Sequence, residues 1–213
     1  MRVNAPGTAD APENLSGGVL IVMPPGFGPE VDESTLPAGG EARAAALERI
    51  TRARGVVTAA RVDRGECIPQ ALRWLAAAGF PMQKSAKRFS IFTWPEHWDG
   101  RPRDRHVVRD AVREGGRLAE ELLRRRPLLV LFLSSQLLDA ANDPEMVGRL
   151  APALGRPLEP AFRLSSGRLR ILGQRWERTL MTGVPLPRRT HRAELNDEVA
   201  RALRLLFERE ELL

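Results

Sequence analysis

Cysteine is nearly absent from this 213-residue chain, and Cys67 stands alone. A single thiol can close no disulfide within the chain and cannot build a multi-cysteine metal site, so no metal or other cofactor is expected and a reducing, cytoplasmic setting is the default. Lysine is almost as scarce, with Lys84 and Lys87 the only two among 33 basic residues. Long apolar runs are missing as well. Residues 1–16 have no apolar signal core and read as a flexible leader, and no later segment is long enough to span a bilayer, so no membrane is expected as a partner. A complete phosphate loop, a dinucleotide fingerprint and a nucleophile elbow are all lacking, which weighs against a nucleotide-binding protein or a small-molecule hydrolase. Residues 17–213 fit one α/β domain, long enough to bury a core without disulfides or metal.

What the chain has in quantity is arginine. The formal net charge is +6 and the isoelectric point about 10.9. The planar guanidinium fork suits phosphate oxygens and stacks on bases, so a nucleic-acid partner is compatible with this charge, although genomic base composition also produces Arg-rich, Lys-poor chains. Clustering is more informative than count. Arg101, Arg103 and Arg105 fall in one predicted loop and Arg188, Arg189 and Arg192 in another, each following an apolar run.

The pattern predicts alternating strands and helices. Val19–Val22 reads as a strand buried on both faces, stopped by the turn Pro24-Pro25-Gly26-Phe27-Gly28-Pro29. A helix is predicted over 41–54, a short strand over 56–62, a helix over 68–78 with Trp74 in the core, and an alternating strand over 88–94. The stretch 107–126 is amphipathic, with Gly115 and Gly116 placed to break it in two. Leu128–Leu133 is the most apolar segment and is assigned to a central strand, after which Ser134 and Ser135 open a helix, capping being favoured over anion binding. Residues 142–159 are rich in Pro and Gly and read as irregular. A hairpin is predicted around Ser165, Ser166 and Gly167, a last strand over 178–184, and a C-terminal helix from about Glu194 with Leu195, Val199, Leu203 and Leu206 on its buried stripe. The repeated strand-helix order predicts a three-layer α/β/α sandwich with a mainly parallel central sheet.

In such sheets, ligands bind beyond the carboxyl ends of the strands. Three strand ends carry unusual loops here: the Pro25 turn, residues 95–105 (PEHWDGRPRDR) and residues 185–192 (PLPRRTHR). Candidate base-pocket residues are Pro25, Gly26, Phe27, Trp94 and His97, with Phe27 placed to stack on a base and Trp94 and Trp98 to form an aromatic platform. Arg101, Arg103, Arg188, Arg189 and Arg192 are the candidate DNA-binding residues. Each has a plainer alternative: Phe27 as a lid on the core, the histidines as surface residues, the Pro25 turn as an ordinary end to a strand, and the tryptophans as closure of the sheet edge.

Taken in order, these segments resemble the uracil-DNA glycosylase superfamily from about Val19 to Leu206. The turn Met23-Pro24-Pro25-Gly26-Phe27-Gly28-Pro29-Glu30 is similar to the family's water-activating turn, Thr93-Trp94 followed by Gly100-Arg101-Pro102 to its base-reading strand end, Arg125–Ser134 to its apolar strand segment, and Pro185–His191 to its DNA-inserting loop. The resemblance implies a uracil-DNA glycosylase-like fold and DNA, duplex or single-stranded, as partner. The departures matter equally. Met23 and Pro24 stand where the family carries its catalytic acid or amide, and neither can polarise a water. Trp94 stands at or beside the base-reading asparagine and cannot make its paired contacts. Leu186 and Pro187 lie where the family histidine falls, and the four cysteines of the iron–sulfur branches are absent.

Ordinary uracil excision is therefore not expected. Two readings follow. In one the chain excises a different modified base, with Glu30 and His191 as catalytic residues and Glu96 as a substitute. In the other the usual chemistry is lost and the fold serves as a DNA-binding or protein-interaction module whose arginine loops grip phosphates.

Overall fold

Val19–Met23 (β1) and Leu129–Phe132 (β4) lie side by side in parallel at the centre of the sheet, every residue of both being buried. Strands covered on both faces need side chains that are apolar in either direction, and VLIVM and LVLF supply them. A computed structural model describes residues 17–24, 56–58, 67–80, 89–95, 105–167, 169–185 and 193–212 of the chain. The predicted leader and the predicted helix over 41–54 lie outside them.

Among the described residues seven strands form one sheet in the order β2-β3-β1-β4-β7-β6-β5. Phe89–Thr93 (β3), β1, β4 and Leu180–Gly183 (β7) are mutually parallel. Both margins are antiparallel: Val56–Thr58 (β2) against β3 on one side, and Leu169–Arg175 (β6) with Phe162–Ser166 (β5) on the other. The parallel core follows the expectation, and the antiparallel margins refine it.

Alternation along β1 sorts the core into two layers. Val19, Ile21 and Met23 point to the side covered by helices Cys67–Ala77 (α1) and Ala193–Arg209 (α6). There the Trp74 indole N–H and the Gln70 amide both donate to Asn196 Oδ1, at 3.0 and 3.1 Å, tying α1 to α6. Leu20 and Val22 point to the opposite side, which is covered by Arg105–Arg113 (α2), Gly115–Arg125 (α3), Ser135–Ala141 (α4) and Pro144–Leu154 (α5). Helices on both faces of a mixed sheet make this an α/β fold with the layering of a three-layer sandwich.

The amphipathic stretch 107–126 divides at Glu114, as its paired glycines predict. Gly115 is buried so closely beneath α5 that a Cβ there would overlap Met146 Sδ, whereas Gly116 faces open space. One expectation fails. Residues 142–159 are not irregular, because α5 occupies 144–154. Asp143 at the N-cap accepts a hydrogen bond from the Glu145 amide at 2.9 Å, and Pro144 fits the first turn, where its missing N–H costs nothing. Met146, Leu150, Ala153 and Leu154 then bury one stripe. The proline that reads as a breaker is here a helix start.

Candidate nucleic-acid interface

Parallel strands share a direction, so the loops that leave their carboxyl ends leave from one edge. The register sets how closely. Met23 pairs with Thr93 and Phe132 with Gly183. The ladder runs one residue further through Trp94 N to Met23 O, Leu133 N to Val22 O and Val184 N to Phe132 O, each 2.9 Å. All four strands therefore stop nearly level. Neighbouring strands lie about 4.8 Å apart, so β3 and β7, three positions apart, end about 14 Å from one another. Pro24, Pro95 and Pro185, the last described residues after β1, β3 and β7, thus stand along one edge, with Ser134 and Ser135 after β4, while Arg105, expected in a loop, instead begins α2.

Of the residues singled out from the sequence, Pro25, Gly26, Phe27, Glu30, Glu96, His97, Trp98, Arg101, Arg103, Arg188, Arg189, His191 and Arg192 lie outside the described residues. Those inside can be placed. Met23 and Pro24 are buried, Met23 with its side chain in the α1–α6 core. Trp94 corrects an expectation. It is fully buried, packed at 6.3 Å between ring centroids against Phe132, with its indole N–H donating to the Glu114 carbonyl at 3.3 Å. An indole so enclosed is part of the α2–α5 core and offers no open face on which a base could stack. Ser134 occupies the N-cap of α4 in an extended conformation, but its hydroxyl makes no capping hydrogen bond, contrary to the role expected of it.

The floor of this edge is built tightly. A Cβ on Gly183 would lie 3.1 Å from both Ser135 Cα and Leu138 Cβ, so α4 sits directly on the end of β7, and a side chain there would require α4 to give by a few tenths of an ångström. The buried Thr182 hydroxyl is satisfied by donating to the Leu172 carbonyl at 2.8 Å.

The β5–β6 hairpin adds residues that the sequence reading missed. Leu172 pairs with Gly183, so Leu169, Arg170 and Ile171 run past the end of β7, by about 10 Å at 3.4 Å per residue. Arg163 pairs with Leu172 and Ser165 with Arg170, which places Arg163, Ser165 and Arg170 on one face, all exposed. That face is the one beside α4, since Leu172 packs on the α2–α5 core. Asp139 of α4 lies within the electrostatic reach of Arg163: burial pushes its carboxyl above the ordinary value, and the Arg163 charge pulls it back. Alternation in RLSS and LRIL marks a polar face, but only the β6–β7 register shows that this face stands at the carboxyl edge.

Among the described residues no group of three or more His, Cys, Asp or Glu side chains could hold a metal ion, and no helix is long and apolar enough to cross a membrane. No protein-family model matches the chain, and no curated protein sequence matches it.

Proposed function

We propose that this chain is a DNA-binding protein on a uracil-DNA glycosylase-like scaffold and that it does not carry out ordinary uracil excision. The observation that carries the proposal is the shared carboxyl edge: the strands that lead into the Pro25 turn, the Arg101 and Arg103 loop and the Arg188, Arg189 and Arg192 loop are parallel and stop level. Arginines that follow neighbouring strand ends in the sequence suit a phosphate backbone. The loss of uracil chemistry is supported by the apolar, buried character of Met23, Pro24 and Trp94, the positions that the family resemblance marks for catalysis and base reading. Glu30 and His191 are then the groups left to serve chemistry on a different base.

Fluorescence anisotropy with a labelled duplex and a labelled single strand, each at two salt concentrations, tests the binding. Association that weakens steeply with salt is expected, and no association even at low salt would overturn the proposal. Incubation with uracil-containing duplex, followed by alkaline cleavage of abasic sites, is expected to leave the DNA intact. Robust uracil release that survives both Glu30→Gln and His191→Ala would contradict the second half.

A further inference from the structure

The β5–β6 hairpin runs past the end of β7 at the antiparallel margin of the sheet, and among the described residues its face turned away from α6 carries exposed polar side chains. Helix α6 packs along both β5 and β6 on the opposite face, whereas on this face α4 packs against β6 and the side chains of Arg163, Ser165 and Arg170 are exposed. Arg163 and Arg170 stand there as diagonal neighbours, a spacing of about 7–8 Å between backbones, within reach of successive phosphates for side chains as long as arginine. Ser165, exposed and paired with Arg170, adds a hydroxyl donor. Asp139 is the acidic group that faces Arg163 across the gap from α4.

Register connects this face to the loops. Arg170 lies two residues beyond the Leu172–Gly183 pair, level with Pro185, the last described residue before the Arg188, Arg189 and Arg192 loop. We infer that the Arg163–Ser165–Arg170 face of the hairpin is a second phosphate-binding surface, which receives the backbone of DNA as it leaves the carboxyl edge. The inference rests on the DNA-binding reading and extends the footprint sideways along the sheet, past β7 onto the antiparallel margin. Charge complementarity selects the occupant: two exposed guanidinium groups opposed by one carboxylate leave a net positive face, which suits a polyanion.

The test is the salt dependence of duplex binding by the full chain and by Arg163→Gln/Arg170→Gln, with Arg163→Lys/Arg170→Lys as the charge-preserving variant. Each phosphate contact contributes about 0.9 to the slope of log affinity against log salt, so the Gln pair is expected to lower the slope by about 1.8 and the Lys pair to leave it near the parent value. Asp139→Asn is expected to tighten binding at low salt. Far-ultraviolet circular dichroism of each variant establishes that it is folded, and both arginines are exposed. If the parent binds and the Gln pair keeps the full slope, the hairpin surface is wrong while the DNA reading stands; if the parent does not bind, both fall. An unchanged DNA slope with lost binding to polyglutamate would assign the face to an acidic protein segment and overturn the DNA assignment.

Discussion

At the amino edge of the parallel core Arg125 is 1% exposed and donates to Glu121 at 2.9 Å, whereas at the carboxyl edge and the hairpin beside it Arg163 and Arg170 stand in solvent. The amino edge is also laced shut. The Gly17 amide donates to the Arg125 and Arg126 carbonyls at 3.1 Å, the Leu128 amide to Gly18 O at 2.9 Å, and the Thr179 hydroxyl to Pro127 O at 2.7 Å. The same residue type therefore serves two ends: one guanidinium is buried against a carboxylate of its own helix α3, and others are held out from strands into solvent. Composition counts these alike. Burial tells them apart.

The largest effect that would sharpen the contrast comes from Trp94, which shows that the base of the carboxyl edge is core. Trp94→Ala removes a fully buried indole and is expected to cost about 3–5 kcal/mol in urea unfolding, whereas Trp94→Phe keeps most of the packing and is expected to leave the salt slope of DNA binding unchanged. A lower slope in the folded Phe variant would return Trp94 to the binding surface. Next comes Arg125→Ala, expected to cost about 2–4 kcal/mol because it empties a packed site and strips Glu121 of a buried partner, although Arg124 still pairs with that carboxylate. DNA affinity measured on the folded fraction should not move. A large loss of affinity without loss of stability would erase the distinction between the edges.

Asp139 gives the smallest effect and a defined pH signature. Its folded-state pKa is raised, first by burial, so between the ordinary 3.8 and the raised value the folded chain holds a proton that the unfolded chain has released. Stability consequently falls as pH rises through that window and stays lower above it. Asp139→Asn removes the loss, and a small gain in stability at pH 7 that disappears near pH 3 is the expected outcome in thermal melts. A variant less stable than the parent at pH 7 would mean that the attraction to Arg163 outweighs the desolvation.

Much of the fold was legible because period and burial agree. The two all-apolar strands, the hairpin turn at Gly167 with its positive φ of 60°, the split at Glu114 and the buried stripe of α6 all follow from local pattern. Helix α5 was not, because Pro144 and Pro152 read as breakers until Asp143 and the buried Met146–Leu150–Ala153 stripe give them places at the first and last turns. Trp94 was misplaced for a related reason: an aromatic at a strand end looks the same in sequence whether the next layer covers it or not. Arg163 and Arg170 were invisible as site residues because their position depends on pairing between β6 and β7, a long-range register that no local window contains.

The most direct measurement replaces arginines at one edge and then at the other. Slopes of log affinity against log salt for duplex DNA would be compared among the parent, Arg101→Gln/Arg103→Gln/Arg188→Gln/Arg189→Gln in the segments that follow β3 and β7 in sequence, and Arg156→Gln/Arg178→Gln, two exposed arginines at the amino edge. A slope lower by about 3–4 in the first variant and unchanged in the second is expected from about 0.9 per lost phosphate contact. Equal slopes in all three proteins, or a loss confined to the amino-edge variant, would contradict the assignment of the carboxyl edge as the DNA-binding face.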